Sequence, residues 1–197
     1  MKLYCATGNA GKLREFRLAA ARYAAGPPVE MELLPGYRDL PACSEDGVTF
    51  EENAILKARH YGASTAGLLF ADDSGLEVDA LGGAPGVYSA RFSGPNATAD
   101  SNNRLLLEKL RGVAGRRARF VCSIALVEGG RLRGTYRGAV EGVILEAPRG
   151  SNGFGYDPLF YYAPFGCTFG EATDEQKLQA SHRGQALIAM LRDLAGQ

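Results

Sequence analysis

The sequence predicts an α/β protein built on a mixed, twisted β-sheet flanked by helices. Short apolar runs typical of strands alternate along the chain with segments whose apolar residues recur at helical spacing. The run Glu128-Gly129-Gly130-Arg131 has the composition of a hairpin turn, and strands joined by a hairpin pair antiparallel. Because a strictly parallel sheet has no hairpins, we expect parallel and antiparallel pairs together.

The first third of the chain predicts a strand, a glycine-containing loop and a helix. The strand covers residues 3–6, the loop covers residues 7–12, and Leu13, Phe16, Ala20 and Tyr23 mark the apolar face of the helix. Gly26-Pro27-Pro28 should end that helix, and an extended segment at residues 29–34 follows.

The run Thr49-Phe50-Glu51-Glu52 predicts the start of a second helix, because Thr and Glu at this spacing form a capping box. The helix should extend from about residue 50 to 65. Its apolar face carries Phe50, Ala54, Ala58 and Tyr61. Lys57 lies beside this face and can reach inward.

The second half of the chain predicts further strands between two helices. In chain order we expect a helix within 96–112, strands at 119–127, 132–137 and 140–145, a long loop at 147–158, a short strand at 159–162, and a closing helix with Ala186, Leu187, Met190, Leu191 and Leu194 on one face.

The apolar run at residues 68–71 delivers Asp72, Asp73 and Ser74 into an expected turn at Gly75. Neighbouring side chains of a strand point to opposite faces, so one carboxylate can hold structure while the other faces a ligand. Two adjacent carboxylates need a cation or a cluster of donors to neutralise them, and a divalent metal satisfies that need. The alternative is a pair of aspartates that caps a turn.

Three further segments offer groups for a phosphorylated, aromatic ligand. Residues 7–12 place small residues and Lys12 at a helix N-terminus, which favours an anion; an ordinary strand-to-helix turn is the alternative. Residues 151–158 alternate glycine with aromatics and could stack a nucleobase, unless the rings fill the core. Lys177 and Ser181-His182-Arg183 supply donors, and cations in a first helical turn need a compensating anion or carbonyl.

Composition limits the class of protein. The 197 residues suit one domain, and 22 basic against 22 acidic residues give a formal net charge of zero, so we expect no stable nucleic-acid binding. The N-terminal residues do not resemble a signal peptide, and the chain has no apolar stretch of the roughly 20 residues that cross a membrane. These two features predict a cytoplasmic location. The four cysteines lack the paired spacing of a zinc site, and because a cytoplasmic setting disfavours disulfides we predict buried free thiols.

Together these segments resemble the inosine triphosphate pyrophosphatases over nearly the whole chain. The matching motifs are Thr7-Gly8-Asn9-Ala10-Gly11-Lys12, Thr49-Phe50-Glu51-Glu52-Asn53-Ala54 with Lys57, Ala71-Asp72-Asp73-Ser74-Gly75-Leu76, Gly86-Val87-Tyr88-Ser89-Ala90-Arg91, Gly153-Phe154-Gly155-Tyr156-Asp157-Pro158, Lys177 and Ser181-His182-Arg183-Gly184. The resemblance implies a single domain over residues 1–197 with two lobes and a central nucleotide cleft.

The resemblance also implies an activity. Members of this family hydrolyse non-canonical purine nucleoside triphosphates such as ITP, dITP and XTP to the monophosphate and pyrophosphate with Mg²⁺, which cleanses the nucleotide pool. A homodimer and no association with membranes are expected on the same grounds.

The resemblance assigns roles residue by residue. Asp73 is implied as the proton acceptor and a metal ligand, and Ser74 as a substrate contact. The triphosphate is assigned to Thr7, Gly8, Asn9, Ala10, Gly11 and Lys12 with Lys57 nearby. The nucleoside end is assigned to Phe154, Gly155, Tyr156, Asp157, Lys177, His182 and Arg183.

The second metal carboxylate is less well defined by the resemblance. Some relatives carry an acidic residue directly after a proline, where this chain has Ala42 after Pro41. We therefore predict Glu45 as the second ligand, with Asp46 and Glu52 as weaker candidates. Asp72 is expected to support the site by orienting other groups.

Two other classes of function are compatible with parts of this pattern. A nucleotide- or RNA-binding module without turnover would use the glycine-aromatic loop for stacking, but adjacent carboxylates repel phosphate unless a metal intervenes. A hydrolase or kinase acting on ordinary nucleotides is disfavoured because the usual P-loop pattern is missing from residues 7–12.

Overall fold

The computed structural model describes residues 1–23 and 28–196. Its strands are β1 (Lys2–Cys5), β2 (Glu30–Leu33), β3 (Leu68–Val78), β4 (Arg117–Glu128), β5 (Arg131–Ile144), β6 (Phe160–Tyr162) and β7 (Cys167–Thr168). Its helices are α1 (Ala10–Arg22), α2 (Phe50–Gly62), α3 (Ala99–Lys109), α4 (Asp174–Ala180) and α5 (His182–Ala195).

The strands form a seven-stranded sheet in the order β2-β1-β3-β4-β5-β6-β7. Strand β1 pairs parallel with β2 and with β3, whereas β5 and β6 pair antiparallel, as do β6 and β7. The hairpin between β4 and β5 consists of Gly129 and Gly130, which both have positive φ, at 54° and 77°. Such angles suit a two-residue hairpin turn. The mixed sheet flanked by helices is therefore confirmed.

Local capping accounts for the starts of the helices. Thr49 accepts a hydrogen bond from the Glu52 amide, and the Glu52 side chain bonds back to the Thr49 amide, so the predicted capping box is present. Asn9 caps α1 by accepting from the Lys12 amide, which places Ala10 to Lys12 inside the helix. The prediction that Gly26-Pro27-Pro28 ends α1 involves residues 26 and 27, which lie outside the described residues; α1 itself ends at Arg22.

Two predictions about elements were wrong. The expected glycine turn after Asp73 is absent from the described chain, because β3 continues without interruption through Ser74 and Gly75 to Val78. Residues 132–137 and 140–145 were expected as two strands but form the single strand β5. Lys177, for which no helix was predicted, lies in the separate short helix α4.

The chain divides into two compact units, each with its own apolar core. Unit 1 contains Met1–Asp73, Cys122–Gly138 and His182–Gln197, and unit 2 contains Ser74–Val121 and Ala139–Ser181. In unit 1, helix α2 packs Ala54, Ala58 and Tyr61 against the apolar side chains of β3 and β4. The prediction of one domain over residues 1–197 stays a prediction.

The core of unit 2 is rich in aromatic residues. Phe120, Phe160 and Phe169 contact one another with ring centroids 4.5 to 6.0 Å apart. Tyr156 and Leu159 are buried in the same cluster. This packing fixes the end of the long loop that precedes β6, and with it the position of Asp157.

Within the described part of the chain, no helix is long and apolar enough to cross a membrane. The same part of the chain holds Cys5, Cys43, Cys122 and Cys167 as free cysteines. Cys5 and Cys122 are buried, as predicted, whereas Cys43 and Cys167 are partly exposed. Burial raises the pKa of the Cys5 thiol well above its usual value, so this thiol stays protonated.

Candidate active site

Strand β3 places two carboxylates on opposite faces of one strand. Asp72 and Asp73 are neighbours in β3, and both are buried. Because β3 stays extended through them, their side chains point in opposite directions. The two aspartates therefore meet different partners, as the sequence predicted.

On one face, Asp73 belongs to a cluster built by helix α2 and the segment that precedes it. The Lys57 ammonium lies 3.2 Å from Asp73 Oδ1 and 2.7 Å from Glu45 Oε2. Asn53, one helical turn before Lys57, donates from Nδ2 to Asp73 Oδ2 at 3.2 Å. Two carboxylates thus share one ammonium, and both oxygens of Asp73 are engaged.

The pKa values in this cluster follow from its burial and its charges. Burial raises the pKa of Asp73; Lys57 and Lys12 lower it, and Glu45 raises it again, so the net pKa is above its usual value. Burial lowers the pKa of Lys57, but the nearby carboxylates, led by Asp73, have a larger effect in the opposite direction. The net pKa is above its usual value, so the lysine stays charged. Asp73 is accordingly a stronger base than an ordinary aspartate.

On the other face, Asp72 is paired with Lys12 from the first turn of α1. Lys12 Nζ donates to Asp72 Oδ2 at 2.8 Å, and the Asp72 side chain is almost fully buried. Burial raises the pKa of Asp72, but the positive charges of Lys12, Lys57 and Arg183 outweigh burial and bring the pKa below its usual value. Asp72 is therefore ionised and held by cations.

Helix α5 adds a second ion pair within unit 1. It begins at His182, and both His182 and Arg183 are buried. Arg183 Nη1 donates to Glu15 Oε2 at 2.8 Å, across 168 positions of the chain. Glu15 lies on α1 three positions after Lys12. It supplies the anion that a cation in the first turn of a helix needs.

The acidic candidates for a second metal ligand differ in their contacts. Glu45 shares Lys57 with Asp73. Asp46 accepts the Ser44 hydroxyl at 2.7 Å, and Glu52 accepts from the Val48 and Thr49 amides in the cap of α2. Among these three residues, Glu45 is the one whose contacts link it to Asp73.

Asp73 and Glu45 are the carboxylates that could hold a metal ion at this site. Within residues 1–23 and 28–196, no group of three or more His, Cys, Asp or Glu side chains could hold a metal ion. Mg²⁺ in nucleotide enzymes is usually held by one or two carboxylates together with substrate phosphates and waters. The pair of Glu45 and Asp73 meets that requirement, although it would not form a complete protein cage.

Unit 2 contains a separate set of predicted site residues centred on Asp157. Asp157 Oδ2 accepts from the Phe154 amide at 2.7 Å and from Lys177 Nζ at 2.5 Å. Lys177 Nζ also lies 5.0 Å from the centroid of the Phe154 ring, a cation–π distance. Gly153 has φ of 72°, and a Cβ there would lie 2.0 Å from Asp157 Oδ2, so this loop requires glycine.

Tyr156 and Phe154 have different surroundings although both belong to the same loop. The Tyr156 ring is buried in the unit 2 core, and its hydroxyl donates to the Ser89 carbonyl at 2.8 Å. The alternative that an aromatic of this loop fills the core is therefore right for Tyr156. Phe154 is half-buried, and the Gly155 carbonyl accepts from Asn103 Nδ2 at 3.0 Å.

The units divide the predicted site residues differently from the sequence assignment. Unit 1 holds Thr7, Gly8, Asn9, Ala10, Gly11, Lys12, Glu45, Lys57, Asp73, His182 and Arg183, and unit 2 holds Ser74, Phe154, Gly155, Tyr156, Asp157 and Lys177. His182 and Arg183, which the resemblance assigns to the nucleoside end, belong to the unit that carries Lys12 and Asp73, and that assignment stays a prediction.

The sequence analysis gave no role to Asn53, which contacts Asp73, or to Glu15, which contacts Arg183. Asn53 was quoted within a motif, and its position one turn before Lys57 on the same face of α2 was an available signal. Glu15 gave no comparable signal, because its partner Arg183 lies near the other end of the chain.

Comparison with known proteins gives a consistent result. Residues 3–193 match the model of the Ham1 family. A dITP/XTP pyrophosphatase of Syntrophobacter fumaroxidans is 51% identical over 194 residues, covering 97% of this chain and 81% of the relative. A dITP/XTP pyrophosphatase of Geobacter sulfurreducens is 50% identical over 198 residues, covering 99% and 96%.

Solved structures agree with this result. The Staphylococcus aureus Ham1 protein superposes with a TM-score of 0.86 at 37% identity, covering 100% of this chain and 99% of that one. A HAM1 protein from Coxiella burnetii gives a TM-score of 0.87 at 37% identity with full coverage of both chains. The chain belongs to the Ham1 family.

Proposed function

We propose that this protein is a nucleoside triphosphate pyrophosphatase that hydrolyses the non-canonical purine nucleotides dITP, ITP and XTP to the monophosphate and pyrophosphate. The observation that carries the proposal is the cluster of the buried Asp73 and Lys57 with the partly exposed Glu45. Relatives named dITP/XTP pyrophosphatases, about half identical over nearly the full chain, support the choice of substrate. Removing such nucleotides keeps them out of DNA and RNA.

In the proposed reaction, the oxygen of a water molecule bonds to the α-phosphorus while the bond from that phosphorus to the bridging oxygen breaks. Pyrophosphate leaves with the electrons of the broken bond. Asp73 accepts the proton that the water loses, and its raised pKa suits this role because a stronger base draws the proton more effectively. Lys57 holds the Asp73 carboxylate in place through its Oδ1 contact.

The phosphates carry negative charge that the protein has to neutralise. The N-terminal amides of α1 and the Lys12 ammonium are proposed to hold the triphosphate. Glu45 and Asp73 would hold Mg²⁺, which supplies charge neutralisation on the phosphate oxygens when it is bound. Ser74, directly after Asp73 on β3, is proposed as a further substrate contact.

Selectivity is proposed to follow from hydrogen-bond polarity at the purine. Hypoxanthine and xanthine present a carbonyl at position 6 that would accept hydrogen bonds from His182, Arg183 or backbone amides, whereas the amino group of adenine would face another donor. Phe154 and Lys177, which both donate to Asp157, are proposed to contact the nucleoside. Guanine shares the 6-carbonyl and would be refused through its 2-amino group.

The test is pyrophosphate release from dITP, ITP, XTP, GTP and ATP by the purified protein, with Mg²⁺ and with excess EDTA. We expect strong preference for the first three substrates and loss of activity in EDTA. Comparable rates on GTP or ATP would contradict the proposed substrate class. Full activity in EDTA would contradict the metal requirement alone.

A homodimer belongs to the same proposal and rests on the family resemblance, and the cytoplasmic location expected from the sequence stays a prediction. Light scattering during size-exclusion chromatography tests the dimer. A monomer mass would refute it.

A further inference from the structure

We propose that Asn53 is a positioning residue that fixes the Asp73 carboxylate relative to the segment carrying Glu45, an inference that rests on the proposed function. Asn53 is 1% exposed and lies in α2. Its side chain makes two contacts of opposite polarity. Nδ2 donates to Asp73 Oδ2 at 3.2 Å, and Oδ1 accepts from the Gly47 amide at 2.8 Å.

The first contact determines how the Asp73 carboxylate is oriented. Lys57 occupies Oδ1 and Asn53 occupies Oδ2, so the two contacts together prevent the carboxylate from rotating about its terminal bond. Lys57 alone could not do this, because a single contact leaves the other oxygen unconstrained. A base that must face one water molecule gains from such a fixed orientation.

The second contact orders the segment that carries Glu45. A Cβ on Gly47 would lie 2.7 Å from Asn53 Oδ1, so the backbone approaches this amide as closely as glycine allows. Two further residues at four-residue spacing on α2 hold the same segment: Lys57 contacts Glu45, and Tyr61 accepts from the Cys43 amide at 3.2 Å.

The chemistry of the two contacts requires a primary amide. An amide both donates and accepts, whereas a carboxylate at this position would accept from Gly47 but would face the Asp73 carboxylate. Asn53→Asp has nearly the same shape and therefore separates the two contacts. Asn53→Ala removes both.

The experiment measures kcat and KM on dITP for wild type, Asn53→Ala and Asn53→Asp, together with hydrogen exchange of the Gly47 amide. We expect kcat to fall about 10–100-fold in both variants, as for other residues that orient catalytic ligands. KM should change less than kcat, because neither contact of Asn53 is assigned to substrate. Exchange at Gly47 should accelerate in Asn53→Ala and stay slow in Asn53→Asp.

Asn102→Ala is the matched control, because Asn102 is a buried asparagine of α3 that accepts from the Ser93 amide at 2.8 Å and donates to the Ser89 carbonyl. It should lower thermal stability and leave kcat unchanged. An equal kcat loss in Asn102→Ala would show that Asn53 acts through general stability and would overturn the inference.

The inference is also overturned if Asn53→Ala keeps wild-type kcat, or if Gly47 exchange is unchanged in that variant. Should Asn53→Ala fail to fold, the nearly isosteric Asn53→Asp still decides the catalytic contact. A wild-type protein that releases no pyrophosphate from any substrate would refute the proposed function and the catalytic role of Asn53, while Gly47 exchange would separately decide whether Asn53 orders the segment.

Discussion

The two faces of β3 within unit 1 hold their aspartates in different ways. On the Asp72 face, two cations meet two carboxylates in the pairs Lys12–Asp72 and Arg183–Glu15. On the Asp73 face, the carboxylates of Asp73 and Glu45 share the ammonium of Lys57. The first arrangement balances its charges within the protein, and the second carries an excess of negative charge.

The pKa values of the two neighbours move in opposite directions for this reason. Both are raised by burial, but surrounding cations bring the pKa of Asp72 below its usual value, whereas the pKa of Asp73 stays above it with Glu45 among the causes. A carboxylate held by cations serves structure. A carboxylate that retains excess negative charge and basicity is suited to a cation and to accepting a proton.

The largest expected effect is on activity in Asp73→Asn. Removing the proton acceptor should lower kcat on dITP about 1,000-fold, within the usual range for a general base. The free energy of unfolding should change little. The raised pKa of Asp73 means that the folded protein does not favour its negative charge, so removing that charge costs little stability. Steady-state kinetics and urea unfolding of the same preparation measure both quantities. An active Asp73→Asn protein would contradict the assigned role.

The next effect is on stability in Asp72→Asn. This change removes the negative charge that lies 2.8 Å from the half-buried ammonium of Lys12 and should cost about 3 kcal/mol in the free energy of unfolding. The double variant Asp72→Asn with Lys12→Met should recover part of that loss, because both charges are then gone. Urea unfolding of the four proteins in this cycle measures the coupling. Strict additivity would show that the pair is not coupled.

Much of this comparison could be predicted from sequence, and the remainder depends on distant contacts. The strand preceding Asp72, the alternation of the two aspartates and the cap at Thr49 are local, and each is present. Gly75 predicted a turn because glycine usually marks one, but β3 continues past it in the sheet. Pairing of Glu15 with Arg183 joins two ends of the chain, and local spacing carries no information about it.

For the site as well, features that depend on local spacing could be predicted, whereas contacts between distant segments could not. Lys57 was expected to reach inward from α2, and it does. The resemblance assigned His182 and Arg183 to the nucleoside end; they belong to unit 1, and their role stays a prediction. Helical spacing places Asn53 on the face of α2 that carries Lys57, but its contacts to Asp73 and Gly47 depend on the tertiary fold.

A smaller effect is expected on the metal requirement in Glu45→Gln. If the excess negative charge on the Asp73 face holds Mg²⁺, the Mg²⁺ concentration for half-maximal activity should rise about 10-fold or more while kcat at saturation falls less. Asp46→Asn is the matched control, because Asp46 contacts Ser44 and has no contact with Lys57 among the described residues. An equal Mg²⁺ requirement in both variants would contradict Glu45 as the ligand.

The smallest expected effect is a difference in the sign of pH dependence, measured in EDTA by urea unfolding between pH 3 and pH 6. The folded pKa of Asp72 is lowered, so its stabilisation is present above the unfolded pKa of about 3.9 and is lost as pH falls through the folded value. The advantage of wild type over Asp72→Asn should therefore shrink toward acid. The folded pKa of Asp73 is raised, so its ionisation disfavours folding as pH rises through that value, and Asp73→Asn should gain on wild type toward neutral pH. If the free energies of unfolding of the two variants, each relative to wild type, change with pH in the same direction, the proposed difference between the two faces of β3 is contradicted.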